Sequence, residues 1–236
     1  MRLRYISTLI LALLATYSAS SQIKYVPPTA HSFSVGIGYG VAKLYGDFYG
    51  KPQTGIPWGD INYNITPYLS AGIQGQAGKL ITGGLNVTTK ANGFYTTNTY
   101  QSAAANVRLS LGAFLVNQPE SVVLDLISGI YGGAGIGIMN NTITISERGG
   151  LNETYLLHGA VKTVPHTANI PLNVGIDVNV PQILGYNGLQ VNVNYQYNFC
   201  QSDNVDGYDP QVPFNKHNDV YTYISAGLRF NFGRIR

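Results

Sequence analysis

The stretch Val220-Tyr221-Thr222-Tyr223-Ile224-Ser225-Ala226-Gly227-Leu228-Arg229-Phe230-Asn231-Phe232 sorts its side chains into two chemically opposite rows. Val220, Thr222, Ile224, Ala226, Leu228, Phe230 and Phe232 make an oily row, while Tyr221, Tyr223, Ser225, Gly227, Arg229 and Asn231 make a polar one. Successive strand residues point to opposite faces of a sheet, so this strand meets a different environment on each side.

Seven segments upstream repeat the pattern or a glycine-rich variant of it. They are predicted at about Phe33 to Val41, Trp58 to Ile65, Tyr68 to Gly78, Ala103 to Leu115, Ile127 to Asn140, Ile170 to Val180 and Leu189 to Phe199. In the fourth, the outward row is expected to be Ala105, Val107, Leu109, Leu111, Ala113 and Leu115. The fifth is the least sorted, because Gly129, Gly132, Gly133, Gly135 and Gly137 occupy both faces. Short links at Thr66-Pro67, Asn117 to Leu126 and Pro181 to Gly188 alternate with longer ones at about 42–57, 79–102, 141–168 and 200–219. That alternation is the one expected of an all-β, eight-stranded antiparallel transmembrane barrel with short periplasmic turns and longer extracellular loops. A sheet in lipid must close, because unpaired edge groups there cost several kcal/mol each.

Composition agrees. Charged residues are only 11% of the 236-residue chain, against about a quarter in ordinary soluble domains, while Gly is 28 and Tyr 18. Mean hydropathy is +0.02, so apolar and uncharged polar residues share the chain almost evenly. A soluble β-sandwich or lipocalin-like barrel also alternates, but its outward polar row needs Lys and Glu; here that row is mostly Asn, Gln, Ser, Gly and Tyr, suited to a packed interior. The net charge of +3, with no basic cluster after the first four residues, gives no case for nucleic acid as a partner.

Arg2 and Arg4, the apolar run Ile6 to Ala15 and the small residues Ala19-Ser20-Ser21 have the layout of an export signal. Residues 1–21 are expected to be a cleaved signal peptide, 22–31 an N-terminal leader, and 32–236 the barrel. The apolar run is too short for a spanning helix, which needs about 20 residues. A lone cysteine, Cys200, excludes an intramolecular disulfide framework.

Eight strands enclose a space that side chains just fill, so a packed lumen is expected rather than an open channel. The inward charges are Asp60, Arg108, Asp177 and Arg229, each costly unless paired, so they are expected to form ion pairs within an Asn and Gln network. On the lipid face, Val193→Arg is expected to be damaging, and Asn192→Ser in the lumen mild.

No set of residues stands out as catalytic, cofactor-binding or metal-ligating. His31, His158, His166 and His217 fall in the leader or in predicted links without metal-ligand spacing. Asp203, Asp206 and Asp209 around Gly207 lack the alternating ligands and terminal Glu of a calcium loop. The run Gly132 to Gly137 has neither G-x-G-x-x-G nor a following Lys-Ser/Thr, and reads as close packing inside a strand. No cofactor is expected.

Ser225-x-Gly227-x-x-Phe230-x-Phe232 resembles the terminal assembly signal of bacterial outer-membrane proteins, which implies the barrel-assembly machinery as a transient partner. The tail Gly233 to Arg236 departs from the many such proteins that end at the aromatic. From residue 32 onward the chain resembles the small OmpA/OmpX-type outer-membrane barrels, and more narrowly those of Bacteroidota. The narrower likeness is carried by Leu44-Tyr45-Gly46-Asp47-Phe48, Tyr63-Asn64-Ile65-Thr66-Pro67-Tyr68-Leu69 and the leader cut before Gln22. The Tyr-Gly-Asp segment resembles that of PorG-type accessory barrels in type IX secretion. The resemblance implies location in the outer membrane of a Gram-negative bacterium, contact with its lipid, and other envelope proteins met through loops or barrel wall. The expected function is that of a non-enzymatic structural or accessory subunit of an envelope assembly, with protein secretion as the candidate process. The alternatives are a narrow porin-like channel for small solutes and a lipid-modifying barrel enzyme.

Overall fold

Alternating rows need a sheet that closes, and the chain provides one. The computed structural model describes residues 31–46, 51–83, 94–115, 122–147, 160–180, 188–202, 205–206 and 218–233. The expected signal peptide and residues 22–30 of the leader lie outside these. Eight strands form a closed antiparallel barrel in sequence order. They are β1 (Phe33–Tyr45), β2 (Thr54–Asn64), β3 (Leu69–Gly83), β4 (Phe94–Ser110), β5 (Ile130–Glu147), β6 (Ala160–Asn179), β7 (Leu189–Cys200) and β8 (Val220–Phe232). The barrel closes between β8 and β1 in unbroken register from Phe33↔Phe232 to Tyr45↔Val220.

Within the apolar belt the face assignment holds on every strand. Ile37, Ile61, Ile73, Ile136 and Val174 are each more than 60% exposed, while Asn62, Asn106, Asn173, Asn192 and Gln196 are buried. Water tolerates no such belt of bare isoleucine and valine on a monomer, whereas hydrocarbon does. At the end where β1 begins and β8 finishes, aromatic rings border the belt. Phe33 meets Tyr63 edge-on at 5.3 Å and stacks on Phe232 at 5.9 Å between ring centres.

The strands run past this belt, and there the faces exchange character. On β5 the outward residues change from Ala134, Ile136 and Ile138 to Asn140, Thr142 and Thr144, while Met139 and Ile143 turn inward and are fully buried. On β1 the outward row ends in Lys43 and Tyr45 while Ala42 and Leu44 point in. The solvent outside has changed from lipid to water, and the sheet reverts to the arrangement of a soluble barrel, apolar within.

Three sequence expectations are corrected here. Most of the long links at 79–102 and 141–168 are strand, because β3, β4, β5 and β6 reach Gly83, Phe94, Glu147 and Ala160. The expected fourth strand stops at Ser110, and Leu111–Phe114 is a 3-10 turn instead. Its partner begins only at Leu69 after the Thr66-Pro67 turn, so beyond the bond from Ser110 N to Tyr68 O the backbone has no ladder to join and curls. The link 117–126 and the start of the expected fifth strand contain a short helix, α1 (Val122–Ser128). Gly129 N donates to Asp125 O at the helix end, and Asn179 reaches Asp125 from β6.

Two irregularities mark β6. Its register against β5 shifts between Met139 and Asn141, where His166 adopts φ 58° and its N–H donates to Asn140 Oδ1 at 3.1 Å. This is a bulge of the kind that bends a strand at a barrel rim. Pro171 lies further down the strand; pairing to β5 skips from Ala134↔Leu172 to Gly137↔Asn169, as expected where a residue has no N–H to give.

Candidate functional site: the packed lumen

The four charges singled out from the sequence come together, one from each even-numbered strand. Arg108 Nη2 is 3.0 Å from Asp60 Oδ2, and Arg229 Nη2 is 3.0 Å from the same oxygen. Arg229 Nη1 donates to both oxygens of Asp177 at 2.6 Å. The chain Arg108–Asp60–Arg229–Asp177 is therefore continuous and neutral, with two cations against two anions. Neighbouring amides meet much of the remaining hydrogen-bonding demand. Asn62 Nδ2 donates to Asp60 Oδ1 at 3.0 Å, and Asn192 Nδ2 donates to Asp177 Oδ1 at 2.7 Å and to the Tyr131 hydroxyl at 2.9 Å. The Arg108 guanidinium lies over the Tyr131 ring at 5.5 Å. Such pairing makes desolvated charge tolerable, although Arg229 Nε is buried without a hydrogen-bond partner.

Next to the charges lies a ladder of amides, in which Asn194 donates to Asn173 at 3.0 Å and Asn173 to Asn106 at 3.3 Å. Further along, glutamines reach across the barrel: Gln76 donates to Gln196 Oε1 at 2.6 Å, and Gln196 to Gln74 Oε1 at 2.9 Å. Tyr100 caps that layer by donating to Gln76 Oε1 at 3.2 Å. Beyond it sits an apolar stopper built around Leu44, Ile56, Leu80, Met139, Tyr221 and Tyr223, all fully buried. Val205 and Asp206, from the link between β7 and β8, add to it. Val205 is wholly buried in the stopper, held by Asn98 Nδ2 donating to its carbonyl at 2.8 Å. Asp219 Oδ2 accepts the N–H groups of Val205 and Asp206 at 2.8 and 2.9 Å. The space left among the charges and amides is about 10 Å³, enough for roughly one water molecule.

Glycine makes this filling possible. A Cβ on Gly133 would stand 2.9 Å from the Arg108 side chain, and one on Gly227 would stand 2.6 Å from Trp58 Cζ2. Trp58 lies against the cross-strand pair Gly38↔Gly227, so a large ring fits where two side chains are missing.

The residues of the expected assembly signal divide between the two faces. Ser225 and Gly227 point into the lumen, whereas Phe230 and Phe232 belong to the lipid-facing belt. Gly227 thus has a packing reason for being glycine. Asn192 faces the lumen as expected and links Tyr131 to Asp177 there, each of which has a further partner, Asn194 and Arg229 respectively. Of the histidines, His31 Nδ1 lies 2.9 Å from Gly233 O at the turn end and His166 sits in the β6 bulge; His158 and His217 lie outside the described residues. Asp206 is buried beside Asp219, while Asp203, Gly207 and Asp209 lie outside the described residues. The sequence reading missed the stopper, including Trp58 and Val205. Its signal was present in Thr142-Ile143-Thr144, which keeps a two-residue period beyond the belt with its faces exchanged.

A closed eight-stranded antiparallel barrel, oily outside and hydrogen-bonded within, is the architecture of the small outer-membrane-type barrels. No protein-family model matches the chain, and no curated protein matches it in sequence. Among solved structures it is similar to Neisserial surface protein A, at 14% identity and TM-score 0.47 over 85% of this chain and 97% of that one. It is also similar to Ail, the attachment invasion locus protein of Yersinia pestis, at 12% identity and TM-score 0.42 over 85% and 99% of the two chains. The outer membrane protein AlkL, solved in lipid bilayers, gives 12% identity and TM-score 0.41 over 91% and 97%.

Proposed function

We propose that this chain is a non-enzymatic barrel of the Gram-negative outer membrane that serves as a structural or accessory subunit of an envelope assembly. The observation that carries this reading is the lumen, occupied in turn by paired charges, amides and an apolar stopper. A wall without a passage has its outer surface and its rim to offer, and both suit contacts with lipid and protein. The short turns and both ends of the barrel segment then face the periplasm, and the taller hairpins face outward. Protein secretion is the process proposed for that assembly, on the likeness of Leu44 to Phe48 to PorG-type barrels of Bacteroidota.

Gentle solubilisation followed by co-purification tests the assembly role: the barrel is expected to emerge with other envelope proteins, and recovery solely as a lone monomer refutes it. The channel reading is tested in planar bilayers, where no conductance of porin size is expected. An unchanged lipid profile on deletion of the gene is the outcome expected of a non-enzyme.

A further inference from the structure

Three lysines gather on one sector of the wall, the loop end of β1 to β3. Lys43 Nζ lies 5.3 Å and Lys51 Nζ 4.7 Å from the centre of the same Tyr45 ring. Lys79 joins them from β3, where its carbonyl accepts a hydrogen bond from Thr54 Oγ1 of β2. Tyr39, 60% exposed, leans on Gly55 beside them. The ion pairs of the described residues all belong to the lumen, so no described carboxylate neutralises these three lysines.

Their height on the wall is informative. The apolar row of β1 runs Phe33, Val35, Ile37, Tyr39, Val41 and ends at Lys43. Ten residues at about 3.3 Å each, tilted about 40°, rise about 25 Å, the height of the apolar band of an outer-membrane barrel. Lys43 therefore stands where hydrocarbon gives way to headgroups, and Lys79 follows Ala77 on β3 in the same way. Two ammonium groups against one aromatic ring, a third lysine on the neighbouring strand and an oily wall beneath fit an anion that carries its own acyl chains.

We propose that Lys43, Lys51 and Lys79, set around Tyr45 and Tyr39, bind the phosphate of a lipid headgroup in the outer leaflet. This rests on the membrane reading above, which has its own test: a mature chain that stays folded and monomeric in buffer without detergent refutes that reading whatever the lipid result. For the site, the purified barrel in phosphate-free detergent is titrated by native mass spectrometry with diphosphorylated lipid A, with the same lipid stripped of phosphate, and with inorganic phosphate. The phosphorylated lipid is expected to bind in a salt-sensitive manner, and the stripped lipid and inorganic phosphate far more weakly. Each Lys→Gln change should weaken binding about fivefold, and the triple variant on the order of a hundredfold. The matching Lys→Arg triple variant should retain it. Trp58 emission should be unchanged in all variants, because the ring sits inside the barrel. Equal binding of the two lipids, or a Gln triple variant that folds and binds like the parent, overturns the proposal. Inorganic phosphate binding as tightly as the lipid overturns it too, by showing a free-anion site.

Discussion

Replacing Asp60 by Asn is the sharpest test of the lumen. Asp60 receives both Arg108 and Arg229 on one oxygen and Asn62 on the other, and its side chain is 2% exposed. The substitution keeps the volume but takes the group from neutral to one net positive charge. Arg229, 5% exposed, is left with Asp177 alone, while Arg108 keeps Asn62 and, at 12% exposed, turns partly toward water. Stranding a buried charge in this way costs about 3–5 kcal/mol. Arg108→Gln should cost less, about 1–3 kcal/mol, because Asp60 retains Arg229. The double variant restores neutrality, so its loss should fall short of the sum of the single losses by at least about 1 kcal/mol. Urea unfolding in lipid vesicles, followed by the emission of Trp58, the single tryptophan of the chain, reads all three. A loss below about 1 kcal/mol for Asp60→Asn, or strict additivity in the double variant, refutes the claim that these charges form one coupled group.

Other substitutions probe the remaining layers. Val193→Arg, in the middle of the lipid-facing row of β7, should cost about 2–4 kcal/mol in vesicles; Asn192→Ser should cost about 0.5–1.5 kcal/mol, since it takes one bond from Asp177 and one from Tyr131, which keep Arg229 and Asn194. Both are read by the same urea titration, and a neutral Asn192→Ser counts against the buried network. Gly227→Ala should cost about 1–3 kcal/mol and shift Trp58 emission by crowding the ring, whereas Gly132→Ala, whose Cβ meets nothing within 4 Å, should stay within about 0.5 kcal/mol. Cys200, 1% exposed within the stopper, should resist maleimide labelling in the folded barrel and react on unfolding, as mass spectrometry of the labelled chain would show.

The strands were legible where lipid imposes its rule. Val220 to Phe232 is delimited to the residue, and Leu189 to Phe199 to within one, because the outward face of those strands keeps one kind of neighbour over their length. Boundaries failed where the neighbour changes. Past Gln101 and Asn140 the outward residues become polar, so a search for an oily outward row ends early and assigns the rest of β4, β5 and β6 to loops. Leu111 to Leu115 failed in the opposite sense. It kept an apolar period but had no strand beside it, and hydrogen-bond supply outweighs side-chain pattern there. The charged residues of the lumen were legible because few charges occur inside the barrel. Their order of pairing was not, since it depends on relative strand heights that no local pattern encodes. The stopper escaped because the inward row was taken to be polar throughout.

The unequal lengths of the strands carry one more consequence. β4, β5 and β6 have 17, 18 and 20 residues, whereas β7, β8, β1 and β2 have 12, 13, 13 and 11. The rim is therefore slanted, a parapet on one flank and a low sill on the other, and Lys43 stands on the sill. A cylinder cut level looks alike from every bearing, but this one has a front and a back. Any neighbour that abuts the parapet is held at a fixed compass direction about the barrel axis, while the opposite flank stays open to the surrounding lipid.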